Sequence, residues 1–211
     1  MPEPQRRRRA GGAKRTAVLE AVATVLADRG YEGTRFADVS AVSGVAISTL
    51  QNYFGSREDM VVEALGLATD REVEALAAVA AAEPDPWRRL VAMTDRSLEN
   101  PTSTQQLLVE FWRAAMRDDE LRAHSHDVLA RYRAPFLAAV TEGVVEGSFS
   151  DTYRPADVTD FLLTALAGAI VSRALRQPAP DPATFREVLL GQLGGMLGHA
   201  EPRAGKASVT R

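Results

Sequence analysis

The chain has 211 residues, 25 Lys and Arg against 28 Asp and Glu, a formal net charge of -3, and no cysteine. That length provides one or two domains with a sizeable core. The missing cysteines exclude a disulfide framework, a Cys-ligated zinc or iron–sulfur site, and thiol oxidation as a sensed signal. An acidic total argues against nucleic acid only if charge is evenly spread, and it is not. Residues 1–60 hold nine basic and seven acidic side chains, the remainder 16 and 21.

The opening segment concentrates Arg6, Arg7, Arg8, Arg9, Lys14 and Arg15 against Glu3. No apolar stretch follows, so it is not read as a secretory signal. The longest apolar-leaning run, residues 161–171, falls short of the roughly 20 residues that span a bilayer. A cytoplasmic protein with no membrane partner is expected.

Apolar spacing of three and four residues (Ala17, Val18, Ala21, Val22, Val25, Leu26) predicts a helix over 14–29, stopped by Gly30. Thr34 is expected to cap a second, two-turn helix that buries Phe36, Val39 and Val42 and ends at Ser43-Gly44. A third runs from about 46 to 54, with Val45, Leu50 and Phe54 inward. Ser56 with Asp59 reads as a capping box for a fourth helix to about 82. Pro84, Pro86 and Pro101 then punctuate helices at 86–99, 103–117, 119–146, 156–176 and 182–197, with a kink expected at Pro135. No alternating β-branched run appears, so the fold class is all-α with about nine helices. The predicted organisation is a basic arm at 1–13, a helix-turn-helix domain at 14–57, a helical effector-binding and dimerisation domain at 58–200, and a disordered tail at 201–211.

Residues 36–54 carry the chemistry. Two short helices joined through Gly44 have helix-turn-helix proportions, in which the second helix enters the major groove. Ser48, Thr49, Gln51, Asn52 and Tyr53 supply donors and acceptors of groove-compatible size. Asn and Gln pair bidentately with adenine, and Ile47 suits a thymine methyl. Thr34 and Arg57 suit phosphates, and Arg8 and Arg9 suit phosphates or the adjacent minor groove.

The pattern T-x4-A-x8-G-Y-E-G-T-x4-V-S-x3-G-V-A-x-S-T-L-x-x-Y-F-x-S-R-E-D over residues 16–59 resembles the DNA-binding domain of the TetR family of bacterial transcriptional regulators. Residues 104–149 are loosely similar to the effector domains of BetI-like members. The resemblance implies base contacts from Ile47, Ser48 and Asn52, and phosphate or groove-wall contacts from Thr34, Thr49, Gln51, Tyr53 and Arg57. It also implies a double-stranded operator, a homodimer and a small-molecule effector. Two positions depart from the family pattern: Gln51 stands where many members have an aromatic residue, and Ala46 where many have a side-chain cap.

Helix 161–171 is apolar on several faces. Phe161, Leu162, Leu166 and Ile170, with Phe185, Leu189 and Leu193 of the last helix, are therefore expected at a two-fold interface. Met93, Phe111, Trp112, Met116, Tyr132 and Phe136 are the expected pocket, suited to an apolar or cationic molecule. His124 and His126 are two apart and point to different sides of a helix, so no metal is expected. Asp118, Asp119 and Glu120 read as helix-start acids, and no catalytic constellation or cofactor motif is found. The expected function is a DNA-binding regulator, a repressor released from a palindromic operator by its effector. The alternatives are an activator of the same family, or an all-α binding protein or enzyme with an incidental hairpin.

Overall fold

In the computed structural model, residues 12–177 and 181–199 are described. Among them are nine helices: α1 Gly12–Gly33, α2 Phe36–Ser43, α3 Ile47–Phe54, α4 Arg57–Ala82, α5 Pro86–Leu98, α6 Thr102–Ala115, α7 Asp119–Val145, α8 Pro155–Ala174 and α9 Pro182–Met196. The predicted all-α architecture is the one observed.

Local chemistry explains the boundaries. Gly30 breaks α1 at φ 70°, ψ 176°, a conformation that a residue without Cβ adopts at little cost. Gly44 takes the left-handed region at φ 70° and stops α2 after eight residues. Ser56 Oγ accepts from the Asp59 amide at 3.0 Å and donates to the Asp59 carboxylate at 2.7 Å, opening α4. Asp85, Asp118 and Asp181 accept the amides of Arg88, Leu121 and Thr184, opening α5, α7 and α9. Helix α7 continues through Pro135.

One expectation is corrected here. Thr34 is not the cap of α2: Arg35 holds that position without a side-chain cap, and the Thr34 hydroxyl turns back to donate to the Gly30 carbonyl at 2.8 Å. The Gly30 break leaves that carbonyl without its helical partner, and a buried threonine hydroxyl is the donor at hand.

The chain divides into two compact units. The first takes the described residues up to Ala75, then Asn100–Arg131 and Arg173–Leu175. Its core joins Val18, Val22 and Leu26 of α1 to Val39, Leu50 and Phe54, to Met60 and Leu65 of α4, and to Phe111 and Leu121. The second takes Leu76–Glu99, Tyr132–Ser172 and the described residues from Arg176 onward. Its core joins Trp87, Leu90 and Met93 to Phe136 and Val140, to Leu162 and Leu166, and to Leu189 and Leu193.

Helix α8, at 20 residues, is long and apolar enough to cross a membrane by length and composition, contrary to the expectation from the shorter run within it. Of its apolar side chains, Val158, Leu162, Leu166 and Ile170 are buried in the second unit.

Candidate nucleic-acid interface

Helices α2 and α3 are held from within the first unit by Val39, Leu50 and Phe54, exposed by 0%, 0% and 6%. Leu50 and Phe54 lie one turn apart and pin one face of α3. The opposite face is consequently presented outward: Ser48, Gln51 and Asn52 are exposed, as is Ile47 at 42%, while Thr49 and Tyr53 are partly buried. Ser48 and Asn52 are also one turn apart, so their polar ends share the outward face. Val42, at the end of α2, is exposed rather than buried as predicted. Ala46 leaves α3 without a side-chain cap.

Two residues expected at phosphates make contacts within the chain. The Thr34 side chain is fully buried and engaged on Gly30. Arg57 Nη1 donates to the Tyr31 carbonyl at 2.8 Å and the Thr34 carbonyl at 3.4 Å, with Glu58 beside it at 2.9 Å. That guanidinium ties the end of α1 and the link to α2 to the start of α4. Arg8 and Arg9 lie outside the described residues.

Sequence reasoning missed the surroundings of Tyr31. Its ring centroid lies 5.0 Å from the Arg57 guanidinium and 5.4 Å from that of Arg113, and its amide donates to Glu110 Oε2 at 3.2 Å. Gly30-Tyr31 was visible as a motif, but its partners lie far along the chain, Arg57 26 residues on and Glu110 79 residues on. A cleft of about 150 Å³ bordered by Tyr31, Arg113, Arg117 and Asp118 opens beside this joint. None of the six predicted pocket residues lines it.

Those six are divided between the two units. Phe111, Trp112 and Met116 belong to the first unit, where Met116 is 71% exposed and encloses nothing. Met93, Tyr132 and Phe136 belong to the second, where Met93 and Phe136 are wholly buried and the Tyr132 and Phe136 rings lie 5.9 Å apart. Tyr132 hydroxyl and Ser97 Oγ share a hydrogen bond of 2.6 Å. His124 contacts Thr69 Oγ1 at 3.4 Å and edges onto Phe111.

Of the seven predicted interface residues, Leu162, Leu166, Ile170, Leu189 and Leu193 are buried within the chain's own core. Phe161 is 43% exposed, and Phe185 is partly buried. What faces outward instead is Val188, at 58%, with Gly168, Gly191 and Gly195, around whose missing Cβ atoms nothing lies within 4 Å.

A two-turn helix and an outward-facing polar helix joined by a left-handed glycine, seated on a core shared with α1 and α4, define a helix-turn-helix DNA reader. The family model of the TetR-family bacterial regulatory proteins matches residues 18–64, and that of the BetI-type transcriptional repressor C-terminal domain matches 86–198. The chain belongs to the TetR family of transcriptional regulators, with a C-terminal domain of BetI type.

Solved structures share the fold. A TetR regulator from Haloarcula marismortui is 21% identical, with a TM-score of 0.79 over 88% of this chain and 99% of that one. A regulator from Saccharomonospora viridis, solved with choline, is 20% identical, with a TM-score of 0.77 over 88% and 98%. FadR from Bacillus subtilis, solved with stearoyl-CoA, is 16% identical, with a TM-score of 0.71 over 88% and 99%. No curated protein matches the chain.

Proposed function

We propose that the protein is a cytoplasmic, homodimeric repressor without enzymatic activity that leaves a palindromic operator when a small molecule binds. Residues 14–57 act as the reading domain and 58–200 as the effector and dimerisation domain. The observation that carries the reading is the outward pairing of Ser48 and Asn52 on a helix whose other face is locked by Leu50 and Phe54. In a dimer, two such helices enter successive major grooves about 34–36 Å apart. Ile47, Ser48 and Asn52 read bases, while Thr49, Gln51 and Tyr53 meet phosphates or groove walls. Arg8 and Arg9 add contacts from the arm.

The test is retention on genomic or selected duplex DNA. Ser48→Ala with Asn52→Ala is expected to abolish preference for the selected site, and unchanged affinity would overturn the recognition role. Removing residues 1–13 is expected to weaken operator binding and to flatten its salt dependence. Transcription from a promoter carrying the site separates repressor from activator.

The dimer face proposed is the outward one, Phe161 and Gly168 of α8 with Val188, Gly191 and Gly195 of α9, where absent side chains permit close backbone approach. The effector is apolar or cationic, received by Tyr132 and Phe136 with Met93, whose burial requires the second unit to open before a ligand enters. Choline, held by one solved relative, and stearoyl-CoA, held by another, are the first two ligands to titrate.

A further inference from the structure

Arg15 stands in the basic opening of the chain, where its charge reads as one more attraction for phosphate. In the structure its guanidinium, partly exposed, is engaged by its own chain. Its Nη2 donates to the Tyr53 carbonyl at 3.3 Å and to Glu63 Oε1 at 2.7 Å. Its guanidinium carbon lies 5.1 Å from the centroid of the Phe54 ring. One side chain of α1 thus meets the last two residues of α3 and a carboxylate of α4.

The end it meets is the one that needs a partner. The last carbonyls of a helix lack intrahelical donors, and the helix dipole places partial negative charge there. A guanidinium on Tyr53 O satisfies both, while Glu63 balances its charge and fixes its direction. Helix α3 has eight residues and no side-chain cap at its start, so it has little means of holding itself. Leu50 and Phe54 seat it on the core, but apolar packing is non-directional and constrains its roll less than a charged hydrogen bond does.

We infer that Arg15 is a positioning residue for operator recognition: it fixes the C-terminal end and roll of α3 through Tyr53 O, Phe54 and Glu63, and makes no contact with DNA. This rests on the proposed entry of α3 into the groove. Removing the side chain therefore weakens reading of the correct site while leaving the number of phosphate contacts unchanged.

The experiment uses the full chain and, as probe, the duplex site recovered by the wild-type protein from randomised DNA. Arg15→Gln is expected to bind that site about tenfold more weakly, with a plot of log K against log salt parallel to wild type. Its affinity for an unrelated duplex should be unchanged, which a loss of folded protein would not produce. Arg15→Lys, which keeps the charge and one donor, is expected to recover part of the loss. Glu63→Gln is expected to weaken specific binding, because the guanidinium loses its second anchor.

A phosphate ligand restrained by Glu63 gives the opposite signs. Glu63→Gln would then tighten binding, and Arg15→Gln would flatten the salt slope by about 0.9 per lost contact. Either result overturns the inference, as does unchanged specific affinity in both variants. If Arg15→Gln does not fold, the sign of the Glu63→Gln effect decides alone. Failure of the wild-type protein to select any duplex overturns the groove-entry reading itself and this inference with it, an outcome distinct from the others.

Discussion

Glu110 of α6 accepts the backbone amide of Tyr31 at 3.2 Å, immediately after the break in α1 at Gly30. The same oxygen accepts from Arg113 Nε and Nη2 at 3.1 and 2.9 Å. Glu110 lies in the part of the chain matched by the BetI-type model, and Tyr31 in the part matched by the DNA-binding model. A carboxylate from the segment matched by the BetI-type model thus accepts from the amide that follows the Gly30 break, within one compact unit.

Glu110→Ala leaves the Tyr31 amide without its acceptor and leaves Arg113 the Tyr31 ring and the Glu32 carboxylate, at 3.8 Å. A loss of about 1–3 kcal/mol of stability is expected, read as a lower urea midpoint at unchanged m. Glu110→Gln, which still accepts, should lose less.

Two buried threonines should respond oppositely to the same change. Thr34 donates to Gly30 O, whereas Thr94 Oγ1 is fully buried and has no hydrogen-bond partner among the described residues. Thr34→Val is expected to cost about 1 kcal/mol or more. Thr94→Val is expected to be neutral or stabilising by about 1 kcal/mol, because it removes a desolvated hydroxyl of similar shape. Thermal melts of the two variants check the pair.

Neighbouring residues on α9 separate assembly from folding. Val188→Asp places a charge on an outward face and is expected to shift sedimentation towards monomer with the helical signal intact. Leu189→Asp places it in the core of the second unit, where Leu189 is 4% exposed, and is expected to unfold the chain.

Acid should loosen the start of α4. The Glu58 carboxyl is held below its ordinary value of 4.5, first by its own backbone amide at the helix N-terminus and then by Arg57. A depressed carboxylate stabilises the fold above its unfolded pKa, and that contribution is lost as pH falls through the folded value. Glu58→Gln is therefore expected to flatten the fall in urea midpoint below pH about 5. The change should be small, since the side chain is 59% exposed.

The helices and the α2–α3 turn were legible because they rest on local signals: apolar spacing, Gly30, Gly44, and the Ser56 and Asp59 pair. Which apolar residues of α8 and α9 face a partner was not, because a helix apolar on several faces has no preferred side until its neighbours are placed. Leu162 and Phe161 are adjacent and chemically alike, yet one is in the core and the other exposed. The partners of the arginines were not legible for a related reason. Charge and position are visible in a sequence, but whether Arg15 and Arg57 point to DNA or to carbonyls of their own chain depends on residues distant along it.

The uncapped α3, eight residues long, sets a limit on how this protein can be divided. A segment cut at residues 36–55 keeps every side chain proposed to read bases but loses α1 and α4, and so would be a largely unstructured peptide. Sequence discrimination on heating should then vanish in the same cooperative transition that melts the first unit, with no gradual decline before it. Operator selectivity would serve as a thermometer of that unit's integrity.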